Sequence, residues 1–153
     1  MTVKPIPEGH HTVTSYLVVR EAAQLIDFMK QAFAAEEIRR FTLPDGSIMH
    51  AEVRIGDSMV MLGEAGGEYP PMPAMLHLYV EDVDAVYQQA LQAGAISLRE
   101  PADQPDGDRR GGVKDQSDNQ WWIATHIEDV SPEELAKREE AQRKQGQQEG
   151  ENS

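Results

Sequence analysis

Apolar and polar residues alternate over residues 77–80, where His77 and Tyr79 interleave with Leu78 and Val80. This is the period of a strand with one buried face. The period then changes. Val83, Val86, Tyr87, Ala90 and Leu91 recur at helical spacing, behind Asp82 as a candidate cap and ahead of Gly94 as a stop. The same pattern stands 61 residues earlier, over residues 16–34. There Leu17 matches Leu78, Val19 matches Val80, Glu21 matches Asp82 and Leu25 matches Val86, with Ala34 one step out of register with Gly94. The earlier helix predicts a buried stripe of Ala22, Leu25, Ile26, Met29 and Phe33. An internal repeat of this length sets the architecture.

Each copy continues in the same way. In the first strand, residues 12–20, Thr14, Tyr16 and Val18 share one face and Leu17 and Val19 the other. A strand candidate over 36–43 meets Pro44-Asp45-Gly46, a strong turn signal. Residues 48–55 alternate, with Ile48, His50, Glu52 and Arg54 opposite Met49, Ala51, Val53 and Ile55. Gly56-Asp57 turns the chain into a strand over 58–63. After the second helix, strands are predicted over 95–100, 108–114 and 120–126, with a polar loop over 101–107. The expectation is an α+β fold of two βαβββ modules at 12–63 and 75–130. Residues 1–11 read as irregular, and the Gly- and Pro-rich stretch 64–74 reads as a linker. Ser131-Pro132-Glu133-Glu134 opens an acidic helix that is predicted to run to about 145, with a disordered tail beyond it.

Charge narrows the partners. The net charge is −13; residues 127–153 hold 8 acids and 4 bases, which leaves −9 on the body. An acidic surface argues against nucleic acid and anionic membranes, both polyanions. No apolar run reaches the length of a membrane span and no signal peptide is visible, so a cytoplasmic location is expected. The absence of cysteine removes disulfides and thiolate metal sites. No phosphate loop, dinucleotide fingerprint, Ser/His/Asp order or zincin motif is present.

The segments LVVREAAQLIDFMKQAF, HAEVRIGDSMVML, HLYVEDVDAVYQQALQAG and VKDQSDNQWWIATH resemble the vicinal-oxygen-chelate superfamily, which includes glyoxalase, bleomycin resistance and dioxygenase proteins. HAEVRIGDS with WWIATHIEDVSPEEL resembles its PhnB-like branch. One departure is Asp115-Gln116-Ser117-Asp118, where the family usually has a D-P-F-G-type turn. The resemblance implies helices outside curved mixed sheets, and a cleft whose four metal-ligand positions fall here on Thr14, Met61, Met75 and Trp122. None is His, Glu or Asp. Zn, Ni, Mn and Fe(II) need imidazole or carboxylate there, thioether is a soft ligand, and Trp offers no donor pair.

Strand parity then aims Tyr16, His77, Tyr79, His50 and Glu52 into the same cleft, with Arg110 nearer the rim. Trp122 is either a stacking surface or a plug for the vacant metal position. The leading expectation is a metal-free protein holding a small, partly aromatic ligand against Thr14, Tyr16, His50, Glu52, Met61, Met75, His77, Tyr79, Arg110 and Trp122. The alternative is a metal-assisted lyase, isomerase or dioxygenase with a divalent ion at His50, Glu52 and His77. The pair His10-His11 is read as solvated. Unpartnered strand edges and the resemblance together predict a homodimer.

Overall fold

The computed structural model describes residues 2–151. The elements run β1 (Ser15–Val19), α1 (Ala22–Phe33), β2 (Glu36–Thr42), β3 (Ile48–Ile55), β4 (Ser58–Glu64), β5 (Met75–Tyr79), α2 (Val83–Gln92), β6 (Ile96–Asp103), β7 (Asp108–Lys114), β8 (Gln120–His126) and α3 (Pro132–Glu151). The strands form two four-stranded sheets, ordered β1-β4-β3-β2 and β5-β8-β7-β6. In each, the first strand runs parallel to the last and the other pairings are antiparallel. This is the α+β arrangement of two βαβββ units that the repeat predicts.

The period-2 and helical stripes meet in one core. Leu17, Val19, Ala51, Val53, Val60 and Leu62 pack with Leu25, Ile26 and Met29 of α1, and the same cluster continues into Val83, Tyr87, Val113, Trp121 and Ile123. Phe28 and Phe33 of α1 reach across to the Trp121 ring, at centroid distances of 6.4 and 4.8 Å. The helices α1 and α2 also pack on one another. Burying these apolar faces together leaves the opposite face of each sheet open.

The two copies begin their helices differently. Asp82 caps α2 as the sequence predicts, accepting a hydrogen bond from the Ala85 N–H at 3.1 Å. Its counterpart Glu21 is left-handed, with φ 57°, and caps nothing. Glu64, at the end of β4, does so instead, accepting from the N–H groups of Glu21 (2.9 Å) and Ala22 (3.0 Å). A carboxylate facing those amides satisfies two orphan donors and complements the helix dipole. Glu64→Ala should therefore cost about 1 kcal/mol, seen as a lower urea midpoint with an unchanged slope.

Four departures from the sequence pattern have physical causes. Phe41 pairs with His50 but Thr42 pairs with Ile48, so Met49 is an extra, bulged residue. The bulge reverses parity: Ile48 is 1% exposed and Met49 57%, opposite to simple alternation. β6 continues through Pro101 to Asp103, where a loop is predicted, because an unpaired edge with register shifts tolerates proline. The linker is tied to the open edge of β1, with the Met72 N–H donating to the Val18 carbonyl at 3.0 Å. Finally, α3 runs on past 145 to Glu151, through residues predicted to be disordered. Arg138 anchors its first half through Glu128, Glu134 and the Pro105 carbonyl. Asn152 and Ser153, also in the predicted tail, lie outside the described residues. Among the described residues no helix is long and apolar enough to cross a membrane.

Candidate functional site

Register lays out the open face of the second sheet in rows. Arg99, Gly112, Trp122 and His77 are successive partners across β6, β7, β8 and β5; Ala102, Arg110, Ala124 and Tyr79 form the next row. Gly112 has no side chain, and the Trp122 indole occupies that space. A Cβ on Gly112 would lie 2.6 Å from the ring. The indole thus lies over β7, with the Arg99 guanidinium carbon 5.9 Å from its centroid and its Nε1–H donating to Gln120 Oε1 at 3.1 Å. Trp122 is half-buried, so it floors the face and leaves ring surface accessible.

Behind this floor stands a polar network around Asp108, which is 3% exposed. Its carboxylate accepts from the Tyr79 hydroxyl (2.9 Å) and Arg110 (3.0 Å), and pairs with His126 Nδ1 (2.8 Å). Burial works to raise the Asp108 pKa. The hydrogen bonds from His126 and Tyr79, together with Arg110, outweigh it and hold the carboxyl below its ordinary value. The Tyr79 hydroxyl is pushed up, mainly by its bond to Asp108. Arg110 also donates through Nε to His77 Nε2 at 3.2 Å. Burial, then the Arg110 charge, push the His77 pKa down, so its imidazole is neutral and accepting near neutral pH. His126 moves the other way, raised by hydrogen bonds to Asp129 and Asp108.

The signs define a window. The depressed Asp108 contributes stability above the unfolded carboxyl value of about 3.8 and loses it as pH falls through the lower folded value. The raised His126 contributes below its unfolded value of about 6.5 and loses it as pH rises through the higher folded value. Their clasp is thus complete between those two values. In an NMR titration, His126 should titrate above free histidine and His77 below it. Identical midpoints for the two would contradict the network.

The first sheet has a different face. Arg39, Glu52, Met61 and Tyr16 are partners across β2, β3, β4 and β1. Tyr16 stacks on His50 with ring centroids 5.7 Å apart, and Phe41 flanks His50 at 6.3 Å. Glu52, 6% exposed, lies 3.1 Å from Arg39 Nε. Its other oxygen has His10 Nε2 at 3.5 Å and His50 Nε2 at 3.6 Å. His10 is therefore not the solvated residue its neighbours suggest. A turn closed by the His10 N–H on the Pro7 carbonyl carries the chain over this sheet, with Gly9 above the Met59 side chain.

The ten predicted residues thus fall into two groups. Thr14, just ahead of β1, joins Tyr16, His50, Glu52 and Met61 on the first sheet; Met75, His77, Tyr79, Arg110 and Trp122 share the second. Among the described residues no strand pairing links the sheets. An open groove of about 780 Å³ runs between them, with Met59 on one side and Met75, His77 and Tyr79 on the other. His77 is on the other sheet from His50 and Glu52, and its Nε2 lone pair is already engaged by Arg110. The ion implied by the fold does not fit the four family positions either: Trp122 offers no lone pair there, and Met75 is 68% exposed. Among the described residues no group of three or more His, Asp or Glu side chains is arranged to hold a metal.

Sequence reasoning missed Asp108, Arg99 and Gly112, whose parts depend on register across three strands. It also missed the buried pair behind the β7–β8 turn. Asp115 accepts from Trp121 Nε1 (2.7 Å) and from the Ser117 and Asn119 N–H groups, while Asn119 Oδ1 accepts from the Ala74 N–H at 2.9 Å. The Asp-x-Ser-x-Asn spacing was the available signal.

Paired βαβββ modules with open sheet faces define a class of cleft-forming proteins. The chain belongs to the Glyoxalase/Bleomycin resistance protein/Dioxygenase superfamily, whose family model matches residues 9–123. An uncharacterized protein of Mycobacterium bovis is 37% identical over 134 residues, covering 80% of this chain and 88% of the relative. Among solved structures, TioX from Micromonospora sp. ML1 superposes with a TM-score of 0.67 at 23% identity, over 76% of this chain and 99% of TioX. A PhnB protein from Bacillus cereus gives 0.61 at 17% identity, over 75% and 99% of the two chains. These two likenesses show the fold.

Proposed function

We propose that the protein binds a small, partly aromatic molecule without a resident metal, in the manner the bleomycin resistance part of the family description suggests. The observation that carries this reading is the Trp122 indole spread over Gly112, with His77, Tyr79 and Arg110 beside it. An accessible aromatic floor with a few fixed polar groups is the usual composition of a small-molecule site. The poor donor set at the family's metal positions supports a metal-free site.

We also propose that the protein is a homodimer. Both faces are open, and Tyr16, Met75 and Tyr79 stand 48%, 68% and 67% exposed along the edge strands β1 and β5. A partner strand or face would cover the parts of these edges that the linker leaves open. Light scattering at micromolar concentration should give twice the chain mass, and a monomer would refute the dimer. A thermal-shift screen of small aromatics tests binding directly, since a ligand specific for the folded state raises the melting temperature. Stoichiometric metal surviving dialysis, with no aromatic binder found, would overturn the reading.

A further inference from the structure

We infer that the open face of the second sheet selects a planar ligand bearing an anionic group, with its ring on Trp122 and its anion on Arg99. This rests on the binding reading above and adds the ligand's charge class. The other cations on the strands of this sheet are committed. Arg109 pairs with Asp84 and Asp103, Arg110 with Asp106 and Asp108, and Lys114 with Asp118. Arg99, among the described residues, has no acidic partner. It occupies the same cross-strand row as Trp122, separated only by Gly112.

That spacing is a consequence of Gly112. Any side chain there would lift the indole off β7, because a Cβ would meet three of its ring carbons within 2.9 Å. With glycine, the indole packs down onto β7 in the row between Arg99 and His77, and the Arg99 guanidinium carbon stands over the ring, 5.9 Å from its centroid. Ala124, fully buried, keeps the neighbouring cell of the face equally low. The result is an aromatic floor with a guanidinium poised over it that has a ring contact but no carboxylate partner among the described residues. A guanidinium presents a planar donor fork suited to a carboxylate or sulfonate, and a ring packed on the exposed part of the indole beside Arg99 would bring such a substituent within its reach. The overall charge of −13 opposes anions at long range, but that repulsion is screened beyond about 8–10 Å at ordinary salt. Contact with Arg99 therefore decides which charge class the face prefers.

A matched probe pair tests this: anilinonaphthalene sulfonate and its uncharged analogue N-phenylnaphthylamine, each titrated by fluorescence against the full chain. Arg99→Gln should weaken the sulfonate about tenfold and leave the amine unchanged, as expected for loss of a charge-assisted contact. Arg99→Lys should fall between. Arg143→Gln, on α3, makes the same change in net charge and should alter neither. Trp122→Ala should weaken both probes. If Arg99→Gln weakens both equally or neither, while Trp122→Ala weakens both, the charge class is wrong and the binding reading stands. If wild type binds neither probe, or Trp122→Ala leaves both unchanged, this face is not the site and both readings fall. Melting curves of each variant confirm that the comparison is between folded proteins.

Discussion

Trp121→Ala should cost about 3–5 kcal/mol of folding stability, the range for truncating a large buried aromatic. Trp121 is 0% exposed and touches both Phe28 and Phe33 of the other module's helix. Its indole N–H is also one of the donors that hold Asp115, itself 5% exposed. Removing the ring opens a cavity where the two modules meet and strips a partner from a buried carboxylate. Trp121→Phe separates the two effects. It keeps most of the packing and removes the hydrogen bond, so its cost of about 1–3 kcal/mol falls mainly on the stranded Asp115 carboxylate. Urea denaturation of the two variants measures both. A loss below about 1 kcal/mol for the alanine variant would mean that the modules do not depend on this contact.

The neighbouring tryptophan should behave in the opposite sense. Trp122→Ala is expected to weaken binding of a planar ligand by about 1–3 kcal/mol, the range for an aromatic anchor. Its stability loss should be smaller than that of Trp121→Ala, because the ring is half-buried and rests on a glycine. The two possibilities open in the sequence, a stacking surface or a plug, thus become two measurements on one variant. Ligand titration reads the first and urea denaturation the second. A stability loss as large as that of Trp121→Ala, with binding unchanged, would make Trp122 a filler of the fold.

The opposite fates of adjacent residues were legible in part. Strand periodicity places Trp121 with Leu17, Val19 and Ile123 in the core and turns Trp122 the other way, because successive strand side chains point to opposite faces. The repeat of 61 residues was enough to derive two βαβββ modules and to pair Asp82 with Glu21. It was not enough to say that the two would act differently. Glu21 became left-handed, and Glu64 arrived from β4 to take over the cap. Equivalent sequence positions carry equivalent chemistry only where their non-local neighbours are equivalent too.

What the sequence determined by itself was what short-range physics specifies: strand faces, helix stripes, turns, the acidic charge, and the residue types at the family's metal positions. Tertiary structure decided which faces share a space. It put His77 on a different sheet from His50 and Glu52. It brought His10 from an unpatterned segment to within 3.5 Å of Glu52, and it bulged Met49 out so that Ile48 entered the core. It also set Arg99 beside Trp122 across an empty glycine. Each of these depends on register or on contacts between residues far apart in the chain. Such contacts form only when the whole core closes, so local periodicity carries no record of them.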